Sequence, residues 1–390
     1  IADEPTKGLD AVVRNQVYDT FCMVRDQYRV GFIVITHDLL LARKFCERIV
    51  VMYCGRVLET NAARELFEHP RHPYTQGLIA SLPHLGMKPM EGFSPAFTDK
   101  PSGYVFHPLT RRLVAGIQSR NPSPVEKGAC VAIATLEVQH LSKSFHSNRL
   151  RGRTHKAVDD VSLAIGPGQT YGLMGESGCG KSTLGRMITR LLPASSGTVL
   201  YDGTDLLYIP QRKMLPYRRR IQMLFQHPDT SLNPRMTVLD SLREPFLLHD
   251  LPGKQDMDEI IRAHIEPYGI QPELLERRAS QVSGGQIQRI VLARIMLLQP
   301  EFIVLDEPTS MLDVSVQAQI MDLLHQVQLR TGVSYLLISH DLDLLRHASS
   351  RIGIMYRGKL LEQGETEAVL NAPTHPYTRE LIENFSYMRD

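Results

Sequence analysis

Two hydrophobic periods alternate along the chain. Short apolar runs such as VGFIVITH (30–37), TYGLM (170–174), EFIVLDEP (301–308) and VSYLLISH (333–340) are bounded by charged, Gly, Pro or His residues. The stretches between them space their apolar residues three and four apart. The first pattern predicts buried strands, the second amphipathic helices. Strands that alternate with helices imply an α/β class with a mainly parallel, covered sheet. In the first 83 residues the order is strand end, loop, helix near 12–27, strand, short helix, the hairpin RIVVMYCGRVLE (48–59) and a polar helix. From about 83 to 132 Pro, Gly, Ser and Met rise, which is linker composition. ATLEVQHLSKSF (134–145) then alternates as a strand. AVDDVSLAIGPGQTYGLMG (157–175) reads as two strands joined at the GPGQ turn, and 234–279 as a mostly helical insertion.

The chain also repeats itself. DEPTKGLD (3–10) returns as DEPTSMLD (306–313), and VITHDL (34–39) as LISHDL (337–342). MYCGRVLE (52–59) returns as MYRGKLLE (355–362), and HPYT (72–75) as HPYT (375–378). Every pair is separated by the same 303 positions, so two copies of one domain align without a gap. The expected division is 1–83 for the rear part of a first copy, 84–133 for a linker or extension, 134–371 for a complete second copy and 372–390 for a second extension. The first copy starts at its DEPT motif, so a fragment or an incomplete gene model of a longer double-domain protein is expected.

Composition narrows the classes. The 44 Lys+Arg against 42 Asp+Glu leave a net charge of +2, which argues against sequence-blind nucleic-acid binding. Five scattered cysteines (Cys22, Cys46, Cys54, Cys130, Cys179) form no CxxC pair or metal-spaced cluster, as expected of a reducing, cytosolic compartment. No apolar run reaches 18 residues and no signal peptide is evident, so any membrane spans would come from another chain.

The strongest chemical signal is GESGCGKST (175–183), which fits GxxxxGK[ST] and lies between a strand and a helix. Gly175, Gly178 and Gly180 let the backbone of Glu176, Ser177 and Cys179 curl with its N–H groups inward, and the next helix adds its positive end. Lys181 can reach β and γ phosphates, and the Ser182 hydroxyl, followed by Thr183, can hold Mg²⁺. Cys179 reads as a small filler. Asp306 and Glu307 end an apolar strand, placed for Mg²⁺ and for a base that orients water. Two carboxylates after a strand are by themselves equally a solvated turn; the phosphate loop upstream decides for the chemical reading. Ser283, Gly284, Gly285 and Gln286 precede a helix and offer donors to an anion, although a glycine pair there is more often a cap.

The order phosphate loop, FQ, SGGQ, LDEPT, SH resembles the ABC-type ATPases. That resemblance implies a P-loop NTPase fold, with a RecA-like, mainly parallel core, an antiparallel β subdomain and an inserted helical subdomain. It implies ATP and Mg²⁺ as cofactors. Gln226 is similar to the glutamine that senses Mg²⁺ and the attacking water, Asp313 to an acidic residue at the domain interface, and His340 to the histidine at the γ phosphate. Phe145 stands where the family stacks an aromatic on adenine; a core strand residue is the alternative. Asp3, Glu4, Asp10 and His37 are the first-copy equivalents of Asp306, Glu307, Asp313 and His340.

QMLFQHPDTSLNPRMTV (222–238) and HPYTQGLIASLP (72–83) resemble the ATPase subunits of oligopeptide, dipeptide and nickel importers, so a fused pair is expected. The implied partners are two transmembrane permease subunits, an extracytoplasmic binding protein reached through the permease, and a second ATPase domain in the parent chain or a homodimer, with no nucleic acid. The implied place is the cytoplasmic face of the inner membrane, as a peripheral protein. Relatives often carry an iron–sulfur cluster in the tail; here Tyr104 stands where a cysteine is expected and Cys130 alone is nearby, so no cluster is expected. The competing readings are a non-transport ABC ATPase acting on ribosomes or DNA, and a catalytically dead scaffold.

Overall fold

A computed structural model describes residues 1–90, 136–146, 154–249, 251, 256–310 and 312–387. They fall into two compact units. One is drawn from Ile1–Val131, Leu312–Asp322 and Leu381–Asp390, the other from Ala132–Met311 and Leu323–Glu380.

In the first unit, β1 (Ala2–Asp3) pairs in parallel with β2 (Val34–Ile35), and β3 (Arg48–Tyr53) forms an antiparallel hairpin with β4 (Arg56–Ala62). A helix, Ala11–Tyr28, lies between β1 and β2, capped by Asp10, whose carboxylate accepts from Val13 N at 3.0 Å. The apolar run 30–37 yields only two strand residues, Val34 and Ile35. Among the described residues β2 pairs with β1, and Ile33 and Ile35 are 63% and 52% exposed. The equivalents in the second half, Leu336 and Ile338, are fully buried.

The second unit has two sheets. β5 (Leu136–His146), β6 (Thr154–Ile165), β8 (Ser196–Tyr201) and β9 (Thr204–Asp205) form an antiparallel sheet in the order β6-β5-β8-β9. β7 (Thr170–Met174), β10 (Ile221–Leu224), β11 (Phe302–Asp306), β12 (Ser334–Ile338), β13 (Arg351–Tyr356) and β14 (Lys359–Glu365) form the other, in the order β10-β11-β12-β7-β13-β14. All its neighbours are parallel except the β13–β14 hairpin. β7, β11 and β12 are buried at every residue, which explains their unbroken apolar runs. The GPGQ turn carries the chain from the antiparallel sheet into the parallel one and does not close a hairpin. The insertion expected at 234–279 contains the helices Val238–His249 and Met257–Ile265 and short 3-10 turns. Glu301 ties the two sheets together: it accepts from Arg220 Nε at 2.9 Å and from the buried Tyr201 hydroxyl at 2.5 Å.

Among the described residues no helix is long and apolar enough to cross a membrane. Tyr104 and Cys130, on which the expectation of no iron–sulfur cluster rests, lie outside the described residues.

Candidate functional site

Parallel strands send all their C-terminal ends to one edge of the sheet, and loops there converge. Four such loops carry the predicted residues: 175–183 after β7, Gln226 after β10, Asp306–Glu307 at the end of β11 and His340 after β12.

The loop after β7 is held in a shape that only glycine fits at two points. Gly175 (φ +154°) and Gly180 (φ +108°) would each place a Cβ 2.1 Å from a main-chain oxygen, of Met355 and Ala157 respectively. The helix Lys181–Ile188 starts directly after it. Lys181 is 5% exposed, and its ammonium donates to the carbonyls of Gly175 at 2.7 Å and Glu176 at 2.9 Å. Cys179 is buried beside it, and burial pushes its thiol up, away from nucleophile character.

Ser182 Oγ donates to Asp306 Oδ1 at 2.8 Å. Burial raises the Asp306 carboxyl against the lowering effect of that hydrogen bond, with the Glu307 charge adding to the rise. Glu307 is the opposite case. Burial raises it too, but the hydrogen bond and charge of His340, the Lys181 ammonium and Gln226 outweigh burial and hold it below the usual carboxylate range. Gln226 Nε2 donates to Glu307 Oε2 at 2.7 Å, and His340 Nδ1 lies 3.4 Å from Oε1. Glu307 takes a left-handed backbone (φ +48°), an uncommon conformation for a side chain of this size.

A phosphate chain with a divalent cation fits this cradle. The loop has no room for a Cβ at Gly175 or Gly180, a cation is buried within it, and Ser182 with Asp306 offers two hard oxygens side by side. Ser283–Gln286 make local contacts: Gln286 Oε1 accepts from Ser283 N at 3.1 Å at the start of the helix Gly284–Met296, and Ser283 and Gly284 are exposed. Asp313 accepts from Ser315 Oγ at 2.6 Å and Val316 N at 2.9 Å, capping the helix Val314–Thr331. Phe145 is 42% exposed at the end of β5 with the Lys143 ammonium 5.2 Å from its ring centre, so the alternative of a core residue does not hold.

The first unit reproduces part of this geometry. Glu4 is also left-handed (φ +47°), its N–H bonds Ile35 O as Glu307 N–H bonds Ile338 O, and its carboxylate lies 2.5 Å from His37 Nδ1. Asp3 is exposed where Asp306 is buried. One contact was missed from the sequence: buried Gln288 donates to Pro308 O at 2.5 Å, tying the SGGQ helix to the DEPT loop. Its signal is a polar residue on the apolar face of IQRIVLAR.

Residues 158–310 match the family described as ABC transporter. Residues 58–113 and 361–390 match the oligopeptide/dipeptide transporter C-terminal region. The glutathione import ATP-binding protein GsiA of Pectobacterium atrosepticum is 35% identical over 98% of this chain and 60% of its own length. The GsiA of Escherichia coli K12 is 37% identical, with the same coverage. The chain thus spans about three fifths of the length of these relatives. Among solved structures, a nucleotide-free ATP-binding cassette from an ABC transporter is similar at a TM-score of 0.54 and 25% identity, covering 64% of this chain and 98% of its own. The cassette MJ0796 in a post-hydrolysis state bound to ADP and Pi is similar at 0.54 and 24%, covering 59% of this chain and 98% of its own. The fold is that of the ABC ATPase cassettes.

Proposed function

From a chain that carries an ABC transporter ATP-binding domain and oligopeptide/dipeptide transporter C-terminal regions, we propose an ATP-hydrolysing component of an importer. The observation that carries this reading is the meeting of Lys181, Ser182, Gln226, Asp306, Glu307 and His340 at one edge of a parallel sheet. Gly175 to Thr183 hold the phosphates, with Lys181 as counter-charge and Phe145 against the adenine. Ser182, Asp306 and Gln226 hold Mg²⁺, which when bound neutralises charge on the phosphates. Glu307, kept ionised by His340 and Lys181, orients and deprotonates the attacking water. Ser283–Gln286 and Asp313 serve the face toward a second ATPase domain, supplied by the parent chain or a second copy. Asp3, Glu4, Asp10 and His37 are the corresponding parts of the first copy in a fused pair.

Closure of paired domains around ATP links binding energy to a permease of two transmembrane subunits at the cytoplasmic face of the inner membrane, fed by an extracytoplasmic binding protein. The relatives favour a cargo of the glutathione or peptide kind, with nickel as the alternative that the sequence resemblance implies. The test has two parts. Lys181→Ala should weaken MgATP binding at least about tenfold, since it removes the one buried cation of the loop. The wild-type chain should co-purify with a two-subunit permease; recovery with ribosomes or DNA instead overturns the importer reading.

A further inference from the structure

The helix Gly284–Met296 is joined to three other segments of the second unit through polar side chains. Towards its far end Arg294 donates to Ser231 O at 2.9 Å, in the loop that follows Gln226, and to Glu244 Oε2 at 2.6 Å, in the inserted helix Val238–His249. Nearer its start Gln288 is 3% exposed, and its amide donates to Pro308 O at 2.5 Å in a buried bond. Pro308 directly follows Glu307. Proline locks φ, so only ψ rotations lie between the held carbonyl and the Glu307 Cα. Glu307 is left-handed (φ +48°), a conformation that persists where its surroundings fix it. Its N–H donates to Ile338 O at 2.9 Å, and its carbonyl accepts from Ser310 N at 3.3 Å. The same turn recurs around Glu4 (φ +47°), with Glu4 N–H on Ile35 O at 2.7 Å and Lys7 N–H on Glu4 O at 3.2 Å, so its shape belongs to the DEPT motif. What Gln288 adds is a tie from that turn to the SGGQ helix.

We propose that Gln288 is a positioning residue for Glu307, fixing the base to the helix whose start serves a second ATPase domain. This deepens the ATPase reading of the site and rests on it. Gln288 lies one turn after Gly284 in the same helix, so the two move as one rigid piece. Ser283 and Gly284 are exposed and offer donors to an anion held by the opposing domain. A displacement of that start passes through Gln288 to the Pro308 carbonyl, and so to the backbone that aims the Glu307 carboxylate. Gln226 and His340 set the side chain of Glu307; Gln288 sets its backbone from a third direction. The bond is buried, so solvent does not make good its loss. Hydrolysis thereby depends on what the SGGQ start touches.

The test uses the full chain and measures MgATP hydrolysis beside MgATP binding. Gln288→Met keeps the length of the side chain and loses the donor. Its kcat should fall about five- to tenfold, with the Kd for MgATP within about twofold of wild type, because the phosphate loop is untouched. In a Glu307→Gln background, where the base is already gone, the same substitution should change single-turnover hydrolysis by less than about twofold. A merely structural role lowers both backgrounds alike. A Met variant with wild-type kcat, a Kd weakened in step with kcat, or an equal loss in both backgrounds overturns the proposal. If the Met variant fails to fold, Gln288→Asn, whose shorter amide does not reach Pro308 O, carries the same expectations; failure of both to fold makes Gln288 a core residue and overturns the proposal too. A wild type that hydrolyses no MgATP refutes the ATPase reading itself, and the role of Gln288 falls with it.

Discussion

Gln226 Nε2 and His340 Nδ1 address different oxygens of one carboxylate, Glu307, at 2.7 Å and 3.4 Å, from loops after β10 and β12 on either side of β11. A group fixed from both neighbouring strands and kept ionised is suited to hold one water in one orientation. Glu307→Gln removes the base and keeps the shape. Hydrolysis by the paired protein should fall about 10²- to 10⁴-fold with MgATP binding retained. Phosphate-release assays beside binding titrations check this, and an unaffected rate refutes the assignment.

Gly180→Ala should disable the loop by shape alone. Its Cβ would lie 2.1 Å from Ala157 O, on a backbone at φ +108°. Strain of this kind costs about 1–3 kcal/mol. A lowered melting temperature together with lost MgATP binding is the expected outcome; a variant that melts and binds as wild type contradicts it.

Glu301→Ala should loosen the join between the two sheets. It leaves the Tyr201 hydroxyl buried without its acceptor and Arg220 without a two-point partner at 2.9 and 2.7 Å. The expected loss is about 1–3 kcal/mol in denaturant unfolding. Tyr201→Phe removes the hydroxyl as well as its need for a partner and should cost less.

Glu362 supplies a pH test of the tail. Burial raises its carboxyl, but the Thr374 N–H, the Thr378 and Thr374 hydroxyls and the His375 N–H outweigh burial and lower it to about 2. An unfolded glutamate titrates near ~4.3. Its stabilising effect is therefore full above that value and is lost as pH falls towards 2. The melting-temperature gap between wild type and Glu362→Gln should be constant from about pH 7 to 5 and should shrink below about pH 4. A gap that grows on acidification overturns this account.

Much of the site was legible because its chemistry is local. A glycine-rich turn between a strand and a helix, or two carboxylates after an apolar strand, needs a few consecutive residues, and the 303-residue repeat requires comparison of the sequence with itself alone. Contacts between distant segments were not legible. Asp3 and Asp306 stand in the same DEPT motif, yet among the described residues Asp3 is exposed on β1, which pairs with β2, and Asp306 is buried on β11, which lies between β10 and β12. The run VGFIVITH has the apolar content of a full strand, yet among the described residues Val34 and Ile35 are its paired strand residues. Phe145 could not be assigned to core or surface until β5 was seen to carry it to an exposed end.

The sequence by itself determined the phosphate-loop motif, the repeated domain and the α/β alternation, since each is written in short-range spacing. The tertiary structure alone decided that Glu307 is held from two neighbouring strands and that Glu301 accepts from the Tyr201 hydroxyl of the other sheet, because those contacts join residues 81 and 100 positions apart that only the sheet order brings together.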